Sequence, residues 1–308
     1  MIHSNSQKRG HSRVLLFGEV LFDRFPNGTF IGGGPANSAA HLARLGAGSS
    51  LLSCVGQDEL GDNAISLLHG FGVNTALIGR SNRPTGQVQV AVDGSGIPSY
   101  HIMENVAYDH IALSPQELLH IGQGGYDALF FGTMAQRSPG SRSTLHQLIE
   151  SVPFSVRFLD INLRDGFYTE EILLYSLSHC TILKLNDEEL AVLRQMLNLG
   201  EDPVSRLFAH YPELQICLVT KGAQGVLAYT REIRLDVPGQ RVQVADTVGA
   251  GDAFSAAFLY VYLHTGNMVS AVKAGNHLGA YVASHSGAVP GYEAGLTERI
   301  ASLAESRT

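Results

Sequence analysis

The stretch "RFLDINLRDGFYTEEILLYSLSHCTILKLNDEEL", residues 157–190, sets two short apolar runs, 157–163 and 181–186, against segments of helical period at 169–178 and 187–197. Runs of that length suit buried strands, and a strand-helix-strand order calls for parallel pairing, because a crossover must carry the chain back to the starting edge. The same alternation extends outward in both directions. Further strand-length runs are "VLLFGEV" (14–20), "LLSCVG" (51–56), "ALFFG" (128–132) and "ICLVTKG" (216–222), with helix-period segments at 36–45, 61–71 and 141–151. The pattern predicts an α/β fold with a mostly parallel sheet covered on both faces.

Nearly every predicted strand ends in polar residues or glycine: Glu19 to Asp23, Gly56 to Asp58, Gly132, Asn162 with Arg164, Lys184 with Asn186, and Thr220 to Gly222. Ligands of open parallel sheets bind beyond the carboxyl ends of the strands, so one crevice is expected there. "TGQVQVAVDGSGIPSYHIM" (85–103) breaks the scheme. Its apolar-polar alternation around Asp93-Gly94 predicts an antiparallel hairpin, which with the chain at about 20–32 would form a small lid. No internal repeat or interdomain linker is visible, so residues 14–308 are expected to form one domain behind a polar tail, 1–13.

The 308 residues carry a formal net charge of -7 with only 21 Lys and Arg, which argues against a nucleic-acid partner. Residues 1–13 are positively charged but lack an apolar core, unlike a signal peptide. No run approaches the roughly 20 apolar residues of a membrane span, and no membrane partner is expected. Cys54, Cys180 and Cys217 each lie in an apolar run and read as buried free thiols; a cytoplasmic location is expected. The 13 histidines show neither H-E-x-x-H spacing nor pairing with Cys and read as core or solvated residues.

"DTVGAGDAFSAAFLYVYLH" (246–264) places a glycine loop before an apolar helix and a carboxylate, Asp252, in its first turn. A helix N-terminus offers unpaired N–H groups and partial positive charge, and glycines let an anion come close. Alone, Asp252 reads as a cap. With Asp246 and Thr247 ahead of the glycines and a buried helix behind, it reads as a base placed to take a proton from a hydroxyl beside an anion site, which points to phosphoryl transfer. Neither a P-loop nor a dinucleotide fingerprint is present.

"DTVGAGDAF" closely resembles the C-terminal signature of the PfkB (ribokinase-like) carbohydrate kinases, and "GGGPANSAAHLARLG" (32–46) their N-terminal one; the resemblance covers about 14–291. It implies a three-layer α/β/α ribokinase-like fold with a small β-sheet lid. It makes Asp252 the catalytic base and the amides of Gly249, Ala250 and Gly251 the anion hole. Gly33, Gly34 and Asn37 match sugar-contacting positions, and Asp23 matches the Asp that binds sugar hydroxyls. Asn186 and Glu189 match the Asn-x-x-Glu element of the Mg²⁺ and phosphate region. Thr220, Lys221, Gly222 and Gly225 match the ATP loop, and Asn276 the adenine contact. Asp246 with the carbonyls of Val248, Val282, His285 and Gly287 matches a monovalent cation site, implying K⁺.

"DINLRDGFY" (160–168) is similar to an element of the fructokinase and 2-keto-3-deoxygluconate kinase branches, which makes Arg164 a substrate or phosphate ligand. Pro35 in "GGGPAN" and the opening "GEVLFDRFP" (18–26) resemble fructokinases and point to ATP-dependent phosphorylation of D-fructose at its 6-hydroxyl. 2-Keto-3-deoxygluconate, ribose or a nucleoside stay open as acceptors, as does a catalytically silent sugar-binding regulator. A homodimer paired through the lid is a further expectation.

Overall fold

The computed structural model describes residues 12–25, 28–92 and 98–305. The polar tail to residue 11 and the predicted Asp93-Gly94 turn lie outside the described residues. In chain order the elements are β1 (Arg13–Phe17), β2 (Leu21–Phe25), β3 (Gly28–Gly32), α1 (Gly34–Arg44), β4 (Gly48–Gly56), α2 (Glu59–Gly70), β5 (Ile78–Ser81), β6 (Gly86–Val92), β7 (Pro98–Ile102) and α3 (Pro115–Gln123). They continue as β8 (Ala128–Phe131), α4 (Pro139–Ser151), β9 (Val156–Asp160), α5 (Glu170–His179), β10 (Ile182–Asn186), α6 (Asp187–Met196) and α7 (Pro203–His210). The last are β11 (Ile216–Thr220), β12 (Val226–Tyr229), β13 (Arg234–Val237), α8 (Ala250–Thr265), α9 (Met268–Ala283) and α10 (Leu296–Glu305).

The main sheet has nine strands in the order β13-β12-β11-β10-β9-β8-β1-β4-β5. From β5 to β11 every pairing is parallel. Period-two alternation builds its two cores. Val14 and Leu16 of β1, with Phe130 and Phe158 on neighbouring strands, pack under α1, α2, α8, α9 and α10. Leu15, Phe17, Leu129, Phe131 and Leu159, one residue along in each case, pack under α3 to α7. Both faces are therefore buried, and the strands read as continuous apolar runs in sequence.

Two features depart from the sequence reading. β12 and β13 extend the sheet antiparallel to β11, so its far edge is a hairpin. The run 14–20 is not one strand: β1 stops at Phe17, and Gly18 turns with φ +150°, where any side chain would meet the ring of Pro35. That turn lifts the chain off the main sheet into β2 and β3. These join the β6–β7 hairpin in a second sheet of order β3-β2-β6-β7, standing over the strand ends.

Candidate active site

The carboxyl ends of β1, β8 and β9 open into a crevice bounded by the N-terminus of α1, with that of α8 beside it. A pocket there is lined by Glu19, Gly34, Phe130, Met134, Asp160 and Asn162, among others.

Asp252 adjoins it across Gly34. Its Oδ2 accepts from Asn37 Nδ2 at 2.8 Å, and its carbonyl from Ser38 Oγ at 3.2 Å, which ties the first turn of α8 to α1. Burial and the nearby Asp160 push its pKa up to about 6, against the opposing pull of Asn37, Lys184 and Arg164. A base with that affinity is ionised at neutral pH yet accepts a proton far more readily than an ordinary aspartate.

Gly34 marks the centre of the site. A side chain there would start 3.2 Å from Asn162 Nδ2, 3.3 Å from Asp252 Oδ1 and 3.7 Å from Glu19 Oε1. The glycine thus leaves open one small volume on which a base, an amide and a carboxyl converge. Asn162 reaches it from a left-handed turn, φ +40°, directly after β9. Gly33, φ +103°, caps α1 against the Glu19 carbonyl, where a side chain would not fit.

Glu19 is buried, accepts from the Gly34 amide at 3.2 Å, and has its pKa raised to about 7, chiefly by burial. Asp23 lies on β2 of the small sheet, against Gly32; burial raises it to about 6, opposed by Arg164. Arg164 is exposed, and its charge acts on Glu19, Asp23 and Asp252 alike.

The segment expected to form the anion hole leads into α8. Gly249 is left-handed, φ +78°, and a side chain there would start 2.6 Å from Ala288. The Ala250 amide is drawn back to the Thr247 carbonyl at 3.3 Å. Asp246 accepts from the amides of Val248 (3.0 Å) and Gly287 (3.2 Å), joining the two loops that hold the predicted cation ligands; the Val282 carbonyl among them accepts from the His285 amide at 2.9 Å. His41, wholly buried and held neutral with a pKa near 4 by burial, fixes the second loop. Its Nε2 is 2.9 Å from the Ala288 carbonyl and its Nδ1 2.7 Å from the Tyr292 hydroxyl, so Nε2 donates and Nδ1 accepts.

Most of the predicted nucleotide residues lie at or just after the ends of β10 and β11, and Asn276 lies on α9. Gly225, φ +98°, passes so close to Val237 to Gly239 that no side chain fits, and Asn276 Nδ2 donates to the Pro238 carbonyl at 3.1 Å and the Val237 carbonyl at 3.4 Å. Thr220 Oγ1 donates to the Leu185 carbonyl (3.3 Å), Lys221 pairs with Asp236 (3.7 Å), and Gly222 turns with φ +54°. Asn186 and Glu189 form a reciprocal capping box on α6, with bonds of 2.7 and 2.8 Å. Glu189 also accepts from the Leu163 amide at 2.9 Å; burial raises its pKa.

Sequence reasoning noted Glu19 and Lys184 only as polar strand ends and did not nominate Asp160 or Ser255. The structure puts Glu19 and Asp160 in the wall of the pocket, with Lys184 and Ser255 bonded to Asp160 behind it. The signal was present in the rule that parallel strands aim their carboxyl ends at a ligand.

The fold, the crevice and the glycine-led helix belong to one class. The chain is a member of the pfkB family of carbohydrate kinases, whose family pattern matches residues 17–294. It is 28% identical to fructokinase-1 of Oryza sativa subsp. japonica, over 90% of this chain and 93% of the rice protein. Among solved structures it resembles the fructokinase of Vibrio cholerae O395 bound to fructose, ADP and calcium (TM-score 0.78, 26% identity, 90% and 94% of the two chains). It also resembles an uncharacterized sugar kinase of Pyrococcus horikoshii in complex with ATP (TM-score 0.75, 26% identity, 90% and 94%). The three-layer arrangement is the ribokinase-like fold.

Proposed function

We propose that this carbohydrate kinase transfers the γ-phosphate of ATP to a primary hydroxyl of a ketohexose, D-fructose to fructose 6-phosphate, with Asp252 as general base. The observation that carries this reading is the open volume above Gly34, where Asp252 Oδ1, Asn162 Nδ2 and Glu19 Oε1 meet beside the uncapped N-terminus of α8. A hydroxyl bound there lies within reach of a base on one side and a bed of backbone donors for phosphate on the other.

Asp23, Gly33, Gly34 and Asn37 hold the sugar in this reading, with the four-stranded sheet as a lid on a single kinase domain, residues 14–308. Asn37 acts partly through Asp252, to which its amide is bonded. The ATP phosphates lie along Gly249 to Gly251, and the nucleotide continues past Asn186, Thr220, Lys221, Gly222 and Gly225 toward Asn276.

Both carboxylate oxygens of Glu189 accept backbone N–H bonds, and among the described residues no group of three His, Cys, Asp or Glu side chains is placed to hold a metal. That donor set fits Mg²⁺ carried on the nucleotide phosphates and largely hydrated, with Glu189 behind it, rather than a protein-held ion. When bound, the ion neutralises phosphate charge. K⁺ at Asp246 and the neighbouring carbonyls, pairing of two copies through the lid, and a cytoplasmic location complete the proposal; among the described residues no helix is long and apolar enough to cross a membrane.

One observation favours a second acceptor. The exposed guanidinium of Arg164, beside three carboxyls, suits a carboxylate-bearing sugar such as 2-keto-3-deoxygluconate. Sugar-dependent ADP formation over a panel holding D-fructose, that acid, ribose and a nucleoside decides the matter. Fructose is expected to give the highest kcat/KM. Sugar binding without ADP formation would replace the kinase with a silent regulator.

A further inference from the structure

Lys184 closes a buried strand position, only 8% exposed, where an apolar residue would satisfy the sheet. A buried ammonium is costly unless it is paired and hydrogen-bonded. Here the Asp160 carboxylate takes bonds from Nζ at 2.9 and 3.0 Å, and Ser255 Oγ on α8 reaches the same carboxylate at 2.8 Å. On its other side Nζ lies 3.2 Å from the point where a side chain on Gly251 would begin. Burial works against its charge, but Asp160, with weaker help from Glu189 and Asp252, keeps its pKa above the ordinary lysine value. One fixed cation thus stands among three carboxyls, directly behind a helix end that no side chain caps.

We propose that Lys184 is a positioning residue of phosphoryl transfer: anchored by Asp160, its ammonium is a permanent positive charge behind Gly249 to Gly251 that draws the terminal phosphate of the nucleotide to the helix end and sets the field at Asp252. This rests on the kinase reading above. The absence of a side chain at Gly251 is part of the device, since any Cβ would stand between the ammonium and the phosphate.

The competing role is purely structural, a pin joining β9, β10 and α8. Charge substitutions separate the two. The groups acting on Asp252 are Asp160 from β9, Lys184 from β10, Arg164 from the loop after β9, Asn37 from α1 and Glu19 from the loop after β1. Removing a neighbouring cation raises a carboxylate's pKa, and removing a neighbouring anion lowers it. The acid limb of kcat/KM, which follows ionisation of the base, should therefore move to higher pH in Lys184→Met and to lower pH in Asp160→Asn.

Calorimetric titration supplies the second readout. Lys184→Met should weaken ADP binding by at least about tenfold, the size of one lost bond to a charged group, and leave adenosine binding unchanged. Lys184→Arg, which keeps the charge, should hold the acid limb in place, and it carries the test if the Met variant does not fold. Shifts of opposite sign with selective loss of ADP affinity support the proposal. Equal losses in both variants, with an unmoved limb and unchanged ADP affinity, would reduce Lys184 to a pin. If the wild type binds nucleotide but phosphorylates no sugar, the kinase reading fails, while the ADP and adenosine titrations still decide the place of Lys184.

Discussion

Two helices, α6 and α8, finish their N-termini in opposite ways. α6 is closed by its own side chains: Asn186 accepts from the Glu189 amide, and Glu189 reaches back to the Asn186 amide. α8 begins at a left-handed glycine with no side-chain cap, and its one first-turn acid, Asp252, turns away from the backbone to Asn37 on α1. Every helix leaves about four N–H groups without an internal partner, and they must find one. At α6 side chains supply it, while at α8 only the Ala250 amide is drawn back, to the Thr247 carbonyl, and a carboxylate lies beside a turn that no side chain caps. An anion that completes α8 brings its charge to the place where a proton acceptor is already aimed at a second ligand.

Asp252→Asn strikes at this contrast most directly. The amide keeps the shape and the contact to Asn37 but cannot accept a proton as base. Turnover should fall by at least about 10²-fold while sugar and ATP affinities hold, since a general base contributes roughly 10² to 10⁴. In the wild type kcat/KM should fall as pH drops through about 6, where Asp252 takes up a proton, and that limb should disappear in the variant. Steady-state rates across pH with both proteins test this; wild-type turnover in the variant would remove Asp252 from the mechanism. Gly249→Ala comes next. It places a methyl 2.6 Å from Ala288 at a φ of +78°, so about 1–3 kcal/mol of strain must be relieved by moving the loop that shapes the anion site. Activity should fall together with melting temperature, whereas Asp252→Asn should cost activity alone.

How much of this was legible depends on the range over which each feature is encoded. The parallel sheet is local information: 128–132, 157–163 and 181–186 are apolar because both faces of their strands are covered, and each run holds a strand in the structure. The glycine loop before α8 was legible for the same reason. The edge hairpin was not: β12 is only four apolar residues directly behind the glycine turn that ends β11, and β13, RLDV, is half-exposed and carries little apolar signal. The break at Gly18 was hidden as well, since what excludes a side chain there, the ring of Pro35, lies on another element. Site chemistry followed the same division. Asp252 stood out as an acid behind glycines, but its partner Asn37 is 215 residues away, and Lys184 meets Asp160 only because β9 and β10 are neighbours in register. Pairings of that kind arise in the folded sheet and leave no periodicity in the chain.

The buried carboxyl of Glu19 carries the contrast into stability. Its pKa rises from 4.5 to about 7 on burial, so the folded state binds the proton more tightly than the unfolded chain. Such a group stabilises fully below the unfolded pKa, and the contribution is lost as pH climbs through about 7. Glu19→Gln, neutral at every pH, should lessen the fall in melting temperature between pH 5 and pH 8. The difference should be on the order of 1–3 kcal/mol, since each tenfold gain in proton affinity is worth about 1.4 kcal/mol. Thermal melts of both proteins at the two pH values measure it; parallel declines would mean that Glu19 is charged in the folded state.

The smallest effect tests the closed helix. Asn186→Ala removes the cap of α6 and should cost about 1 kcal/mol, a shift of a few degrees in melting temperature, with far less damage to turnover than Asp252→Asn. Asn186→Asp separates capping from ligand contact. A carboxylate oxygen still accepts from the Glu189 amide, so stability should return, but the side chain no longer donates an N–H. If KM for ATP rises in both variants while only Ala is destabilised, the Asn186 amide touches the nucleotide and α6 serves the site with its cap as well as its position. If KM is unchanged in both, Asn186 is a cap alone, and its amide does not touch the nucleotide.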